Sequence, residues 1–286
     1  AKIKRSFPNT PVIALTATAD KLVRQDIVER LTIKQASVFV SSFNRPNIFY
    51  SVEPKRNSYS QLLTFLDKHT HNSGIIYCLS RKSVENMAAD LTAEGFQALP
   101  YHAGLDKETR QKNQELFLQD EVKIIVATIA FGMGIDKSNV RFVVHCDLPK
   151  NIESYYQETG RAGRDGLQSD ALMFFSWGDV KKLHDFAAVE GNQQQSEIML
   201  KKLELMGDFG DLKTCRRQFL LNYFSEESDG HCGNCDNCNT VFERIDGTVI
   251  AQKALSAVYR TNQKFGVNYL IDFLHGSQAK TIRDEH

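Results

Sequence analysis

Two short stretches of this chain combine residue types and spacings that could do chemistry. Residues 155–166 read YYQETGRAGRDG, with Arg161 and Arg164 three positions apart among glycines. Guanidinium groups are permanently charged and carry a fixed fork of donors that matches phosphate oxygens. Glycine inside a helix costs about 1 kcal/mol against alanine, and a surface helix has no need of it. On a continuous helix Gln157, Arg161 and Arg164 fall at i, i+4 and i+7 and share one face. Gly160 and Gly163 flank that face and would lower its walls for a bulky partner. Two arginines so placed suit a polyphosphate whose charge changes during transfer. The competing reading is a solvated basic helix end that complements the helix dipole.

The second stretch is Cys215, Cys232, Cys235 and Cys238, spaced C-x16-C-x2-C-x2-C. Four thiolates grouped this way can close a tetrahedral shell around one ion, and a closed shell makes the site structural rather than catalytic. Zinc is the expected ion; an iron–sulfur cluster or two disulfides are the alternatives. His231 abuts Cys232 but is not needed as a ligand. Cys78 and Cys146 each close an apolar run and read as small core residues.

These residues must be positioned by regular elements. Strand-like apolar runs recur at 12–15 (VIAL), 37–40 (SVFV), 47–52 (NIFYSV), 74–78 (GIIYC), 123–129 (KIIVATI), 141–146 (RFVVHC) and 171–175 (ALMFF). Between most of them lie amphipathic segments: Leu22, Val23, Ile27 and Leu31 form one stripe, and Val84, Met87, Ala88 and Leu91 another. Continuous apolar strands alternating with such helices predict an α/β domain, a parallel sheet covered on both faces. After Ser176 the alternation stops. Helical patterns follow (SWGDVKKLHDFAAVE and SEIMLKKLELMGDFG), then the cysteines, then TVIAQKALSAVYRTNQ and NYLIDFLHGS.

The predicted organisation has four parts: 1–42 as the tail of a preceding domain, 43–178 as the α/β domain, 179–245 as a helical metal-binding module, and 246–286 as the start of a further module. The 286 residues carry 35 basic and 35 acidic side chains, a net charge of zero. Whole-chain charge therefore neither supports nor excludes a nucleic-acid partner, because local stripes decide that. No apolar run approaches the roughly 18 residues of a membrane span. The chain opens AKIKRSFPNT, without Met and without the apolar core of a signal peptide. Reduced core thiols then favour a cytosolic compartment.

QETGRAGRDG resembles motif VI of superfamily-two helicases, and the whole chain resembles the second half of a RecQ-family DNA helicase. LTATA at 15–19 is similar to motif III, SFNRPN to the approach into the second RecA-like domain, and SGIIYCLSR at 73–81 to motif IV. YHAGL at 101–105 resembles the segment after it, and VATIAFGMGIDKSNVRFVVH at 126–145 resembles motif V. TCRRQFLLNYF followed by CGNCDNC resembles the zinc module that separates RecQ proteins from DEAD-box relatives, and 246–286 the first helices of a winged-helix domain.

The resemblance implies roles residue by residue. Arg161 and Arg164 would reach the γ-phosphate of ATP, with Gln157 coupling that site. Gly134 and Asp136 would sit beside the nucleotide or bridge it to DNA. Ser80, Arg81, His102 and Thr128 would contact DNA phosphates, which position a strand without reading its sequence. Thr16 and Thr18 would link the two RecA-like domains. Also implied are zinc, ATP and Mg²⁺ as cofactors, and single-stranded and junction DNA as partners. An N-terminal RecA-like domain and a single-stranded DNA-binding protein are further implied partners. The implied location is cytoplasmic, at a bacterial nucleoid, and the implied work 3′-to-5′ unwinding in repair and recombination.

Two ingredients of ATP hydrolysis do not occur in these residues. There is no G-x-x-x-x-G-K-[ST] and no Gly-Lys pair anywhere, and Asp284-Glu285-His286 does not close a buried strand beside a phosphate loop. The expectation is a chain that hydrolyses no ATP alone. The alternative from a different class is a zinc-stabilised nucleic-acid-binding module without motor activity.

Overall fold

The computed structural model describes residues 6, 7, 9–19, 21–129, 131, 136–187, 192–228, 230–241 and 245–277. The chain divides into two compact units, 1–240 and 241–286. Within the first lies a six-stranded sheet with every pairing parallel. Its strands are β1 (Ile48–Pro54), β2 (Ser73–Tyr77), β3 (Ala98–Tyr101), β4 (Ile124–Ala127), β5 (Val140–His145) and β6 (Ser169–Phe175). They lie in the order β1-β6-β5-β2-β4-β3.

Period-2 alternation sends successive side chains to opposite faces. Ile76, Val126, Val144, Leu172 and Phe174 bury one face under helices α2 (Ser58–Leu66) and α3 (Arg81–Ala93), which contribute Leu62, Leu66, Val84, Ala88 and Leu91. Ile75, Ile125 and Val143 face the other way, toward Phe117 of α4 (Lys107–Leu118). On that same face Ile48, Tyr50, Ala171 and Met173 pack against Tyr155 of α5 (Ile152–Thr159). Burial on both faces explains why these strands read as unbroken apolar runs.

Helix starts follow the local chemistry. Ser80, Asp106 and Asn151 each accept a backbone N–H three residues on, capping α3, α4 and α5. Gly95, with φ +92°, stands just past the end of α3, where an L-side chain would be strained.

Three expectations need correction. VIAL and SVFV form no strand; Ile13, Leu15, Val38 and Phe39 are exposed, and strand composition without a neighbouring strand gives no ladder. The helix α1 (Lys21–Leu31) forms as expected, but none of its residues is buried. Strand β3 had no counterpart in the apolar runs because ALPY is short and contains Pro100. It sits at the sheet edge, where proline's missing N–H costs no ladder bond.

After β6 come α6 (Trp177–Ala187), α7 (Gln193–Asp211), α8 (Arg216–Tyr223) and the single turn α9 (Asp236–Asn239). Phe209, Met206, Leu203 and Leu220 carry this helical module onto the Tyr155 face of the sheet in one continuous core. In the second unit, α10 (Thr248–Arg260) and α11 (Val267–Leu274) form a helix pair, with Phe265 stacked on Tyr269 at 3.9 Å. Among the described residues no helix is long and apolar enough to cross a membrane.

Candidate nucleotide site and metal centre

The arginines do not share a helix face. Helix α5 stops at Thr159, and residues 160–165 form successive turns. Gly163 takes φ +58° and Gly166 φ +82°, the left-handed region open to glycine. A Cβ on Gly163 would lie 2.3 Å from Asn47 Nδ2 and 2.8 Å from the Leu167 carbonyl oxygen. Gly163 therefore serves a sharp turn packed against residue 47, not a low wall on a helix. The Gly163 N–H donates to the Val140 carbonyl at 2.8 Å, setting the turn against the first residue of β5.

Around this turn the structure gathers six of the residues singled out in the sequence. Arg164 Nη1 donates to Asp136 Oδ1 at 2.9 Å, an ion pair on the surface with Asp136 92% exposed. Such a pair is worth about 0–1 kcal/mol, so exchanging the carboxylate for another anion costs little. Arg161 is half-buried and lies toward Tyr77; burial pushes the Tyr77 phenol well above its usual range, and the Arg161 cation opposes the shift. Gln157 Nε2 donates to Thr18 Oγ1 at 2.6 Å, and the Thr18 N–H in turn donates to Thr16 Oγ1 at 3.4 Å. A residue of the 15–19 segment thus touches α5 directly. Gly134 lies outside the described residues.

The second predicted set follows the carboxyl ends of β2, β3 and β4, the usual ligand edge of an open α/β sheet. Ser80 is the exposed N-cap of α3, and Arg81 is exposed with its stem against Gly104. Thr128 follows β4 and donates its N–H to the Tyr101 carbonyl at 3.2 Å. His102 differs from expectation. It is 2% exposed, its Nδ1 accepts the Gly104 N–H at 3.2 Å, and its Nε2 donates to Glu85 Oε1 at 3.0 Å. Both ring nitrogens are engaged within the chain, and the side chain shapes the YHAGL turn.

The four cysteines come together, all free, with their sulfurs within 4.8 Å of one another. Cys232 and Cys238 are 3.9 Å apart. A tetrahedral ion with metal–sulfur bonds of about 2.3 Å puts its sulfurs about 3.8 Å apart, so the cage fits. Backbone amides already point at three sulfurs: Gln218 to Cys215, Asn234 to Cys232 and Cys238 to Cys235, at 3.3–3.4 Å. Burial works against the Cys238 thiolate, but donors at Cys232, Cys235 and Gly233 hold its pKa down at about 7. Four sulfurs leave no open coordination position, so this donor set builds structure.

Several residues that carry the architecture were not visible as such in the sequence. Asp236 accepts from Val52 N–H at 2.8 Å and from Arg216 Nε at 2.6 Å, and Tyr50 bridges to Cys235. The cysteine loop thereby covers the open edge of β1. Arg217, also buried, donates to the Ile48 carbonyl at 2.8 Å. Under α5, His145 and Glu158 pair at 2.7 Å, both buried, with the Tyr77 ring stacked on the histidine. Only TCRRQF, two arginines beside a ligand cysteine, hinted at any of this.

Comparison with known proteins agrees with this arrangement. The helicase conserved C-terminal domain family matches residues 55–166, the RecQ zinc-binding family 177–239 and the RQC domain family 241–286. ATP-dependent DNA helicase RecQ of Pasteurella multocida is 47% identical across 99% of this chain and 45% of its own length. The protein of the same name from Haemophilus influenzae is 47% identical over 99% of this chain and 46% of its own. The chain spans less than half the length of these relatives. The solved structure of S. cerevisiae Dbp5 bound to RNA and ADP BeF3 superposes with a TM-score of 0.54 at 20% identity, covering 74% of this chain and 52% of that one. That likeness concerns the RecA-like fold alone. Sheet, zinc-binding module and RQC segment in this order make the chain a member of the RecQ helicase family, carrying that family's C-terminal region.

Proposed function

We propose that this chain supplies the second motor domain, the zinc module and the first winged-helix elements of an ATP-dependent DNA helicase acting in repair and recombination. The observation that carries this reading is the hydrogen bond from Gln157 to Thr18, because it puts the arginine turn beside the segment expected to come from the first RecA-like domain. ATP with Mg²⁺, held by the phosphate loop of that other domain, would supply the phosphoryl chemistry. Arg161 and Arg164 donate N–H groups to phosphate oxygens as charge builds on them, a contribution of about 10³–10⁵ in rate for such arginines. Arg164 does so by leaving Asp136. Gln157 and the Thr16–Thr18 pair tie that event to movement between the domains. Ser80, Arg81 and Thr128 carry the sugar-phosphate strand along the sheet edge.

Zinc is the ion assigned to the four cysteines. The RecQ relatives' names support DNA, with 3′-to-5′ unwinding carried over from the family resemblance. A cytoplasmic, nucleoid-associated setting and contact with a single-stranded DNA-binding protein complete the proposal.

The test is ATP turnover by the purified chain, alone and combined with a phosphate-loop RecA-like domain, with and without single-stranded DNA. The reading expects none from the chain alone and DNA-stimulated turnover from the combination. A zinc-stabilised binding module without motor activity would retain DNA and hydrolyse nothing in either arm.

A further inference from the structure

The segment that precedes β1 does more than connect. Arg45 Nη1 donates to the Gly160 carbonyl at 3.1 Å, and Nη2 donates to the Ala162 and Gly163 carbonyls at 2.9 and 3.0 Å. Asn47 Nδ2 adds bonds to the Gly163 and Leu167 carbonyls, both at 2.9 Å. Two of these carbonyls, of Gly160 and Ala162, flank Arg161, and that of Gly163 precedes Arg164, so one guanidinium fork brackets the Arg161 backbone and reaches the residue before Arg164. The same cation stands at the C-terminal end of α5, where unpaired carbonyls gather negative charge.

This fork is itself held. Phe43 stacks on Phe224 at 4.4 Å, and its carbonyl accepts the Tyr156 hydroxyl at 2.8 Å. Glu226 accepts from Ser42 Oγ and from the Phe43 N–H at 2.6 and 2.7 Å. On the far side Asn234, in the cysteine loop, donates to the Pro46 carbonyl at 2.8 Å. A segment of residues 42–47 pinned at both ends by the zinc module has little freedom of its own, and Arg45 transmits that fixity to the turn.

We infer that Arg45 and Asn47 are positioning residues for phosphoryl transfer, setting where Arg161 and Arg164 stand without touching the nucleotide. The inference rests on the ATPase reading above. Misplacing a catalytic group by about 1 Å costs on the order of 100-fold in rate. Loss of an interaction made only in the transition state lowers kcat and leaves KM in place.

The experiment uses the protein that joins this chain to its phosphate-loop domain, with steady-state ATP hydrolysis at saturating single-stranded DNA. Arg45→Ala is expected to lower kcat about 30-fold with KM for ATP within about twofold, at unchanged metal content. Arg45→Lys keeps charge and stem but not the fork, and is expected to lose about tenfold. Asn47→Ala should fall in the same direction, by less. Should Arg45→Ala fail to fold, Arg45→Lys decides, and wild-type kcat in it overturns the inference. So does a rise in KM that accounts for the whole loss. If wild type turns over and Arg161→Ala does not, yet both Arg45 variants match wild type, this inference alone falls. If wild type itself hydrolyses no ATP, the ATPase reading falls and takes this one with it.

Discussion

Replacing Gly163 by alanine puts a methyl group where the structure leaves no room. The residue has φ +58°, which costs an L-residue about 1–2 kcal/mol. Its Cβ would stand 2.3 Å from Asn47 Nδ2 and 2.8 Å from Ser169 Oγ, so Asn47 must withdraw. Withdrawal breaks the two Asn47 bonds to Gly163 and Leu167, worth about 1 kcal/mol each. The sum is roughly 3–4 kcal/mol, and at about 2–4 °C per kcal/mol for a unit of this size the midpoint should drop by roughly 6–16 °C. Gly166→Ala is the control: its φ is +82°, but nothing lies within 4 Å of its Cβ. It should lose only the backbone cost of about 1–2 kcal/mol. Urea unfolding of both variants separates the two contributions. If Gly163→Ala falls within about 0.5 kcal/mol of Gly166→Ala, the packing of the turn against residue 47 is wrong.

Two further outcomes follow from the geometry. Elemental analysis should find about one zinc per chain, and a strong chelator should lower the stability of the sheet as well as the module, since Asp236 and Cys235 sit on the β1 edge; iron, or no metal, contradicts the assignment. Asp120 forms an ion pair with buried Lys137 at 2.9 Å, accepts from Ser73 at 2.8 Å and from Asn139 at 3.0 Å, and has Lys123 at 3.6 Å; Lys137 above all holds its carboxyl well below the usual range. A depressed carboxylate stabilises above its unfolded pKa, and that stability is lost as pH falls through its folded value. Urea titrations from pH 6 downward should therefore show a shallower acid loss in Lys137→Met than in wild type. Equal slopes would refute the pairing.

The parts of the fold legible in the sequence are those governed by local pattern. Unbroken apolar runs located β1, β2, β4, β5 and β6, because both sheet faces are buried, and helical spacing located α1, α3, α6, α7, α10 and α11. VIAL and SVFV have the same composition but no neighbouring strand, which composition cannot reveal. Spacing alone found the four cysteines. For the arginines, periodicity carried the helix to Arg164, whereas Gly160 ends it and Gly163 turns it. The left-handed Gly163 packs against Asn47, over a hundred residues away in the chain. The DNA-contact role of His102 came only from the resemblance of YHAGL; its burial against Glu85 and Gly104 is a tertiary fact. SFNRPN marked Arg45 and Asn47 as part of a shared stretch but gave no sign of this role, since a guanidinium binding backbone carbonyls leaves no mark in the partner's side chains.

The central claim is that the arginine turn is one half of an ATP site. Its most direct measurement is kcat for DNA-stimulated ATP hydrolysis by Arg161→Ala and Arg164→Ala, each in the protein joined to its phosphate-loop domain. Each variant should lose about 10³-fold or more in kcat while still binding ATP. Turnover at the wild-type rate in both would contradict the account.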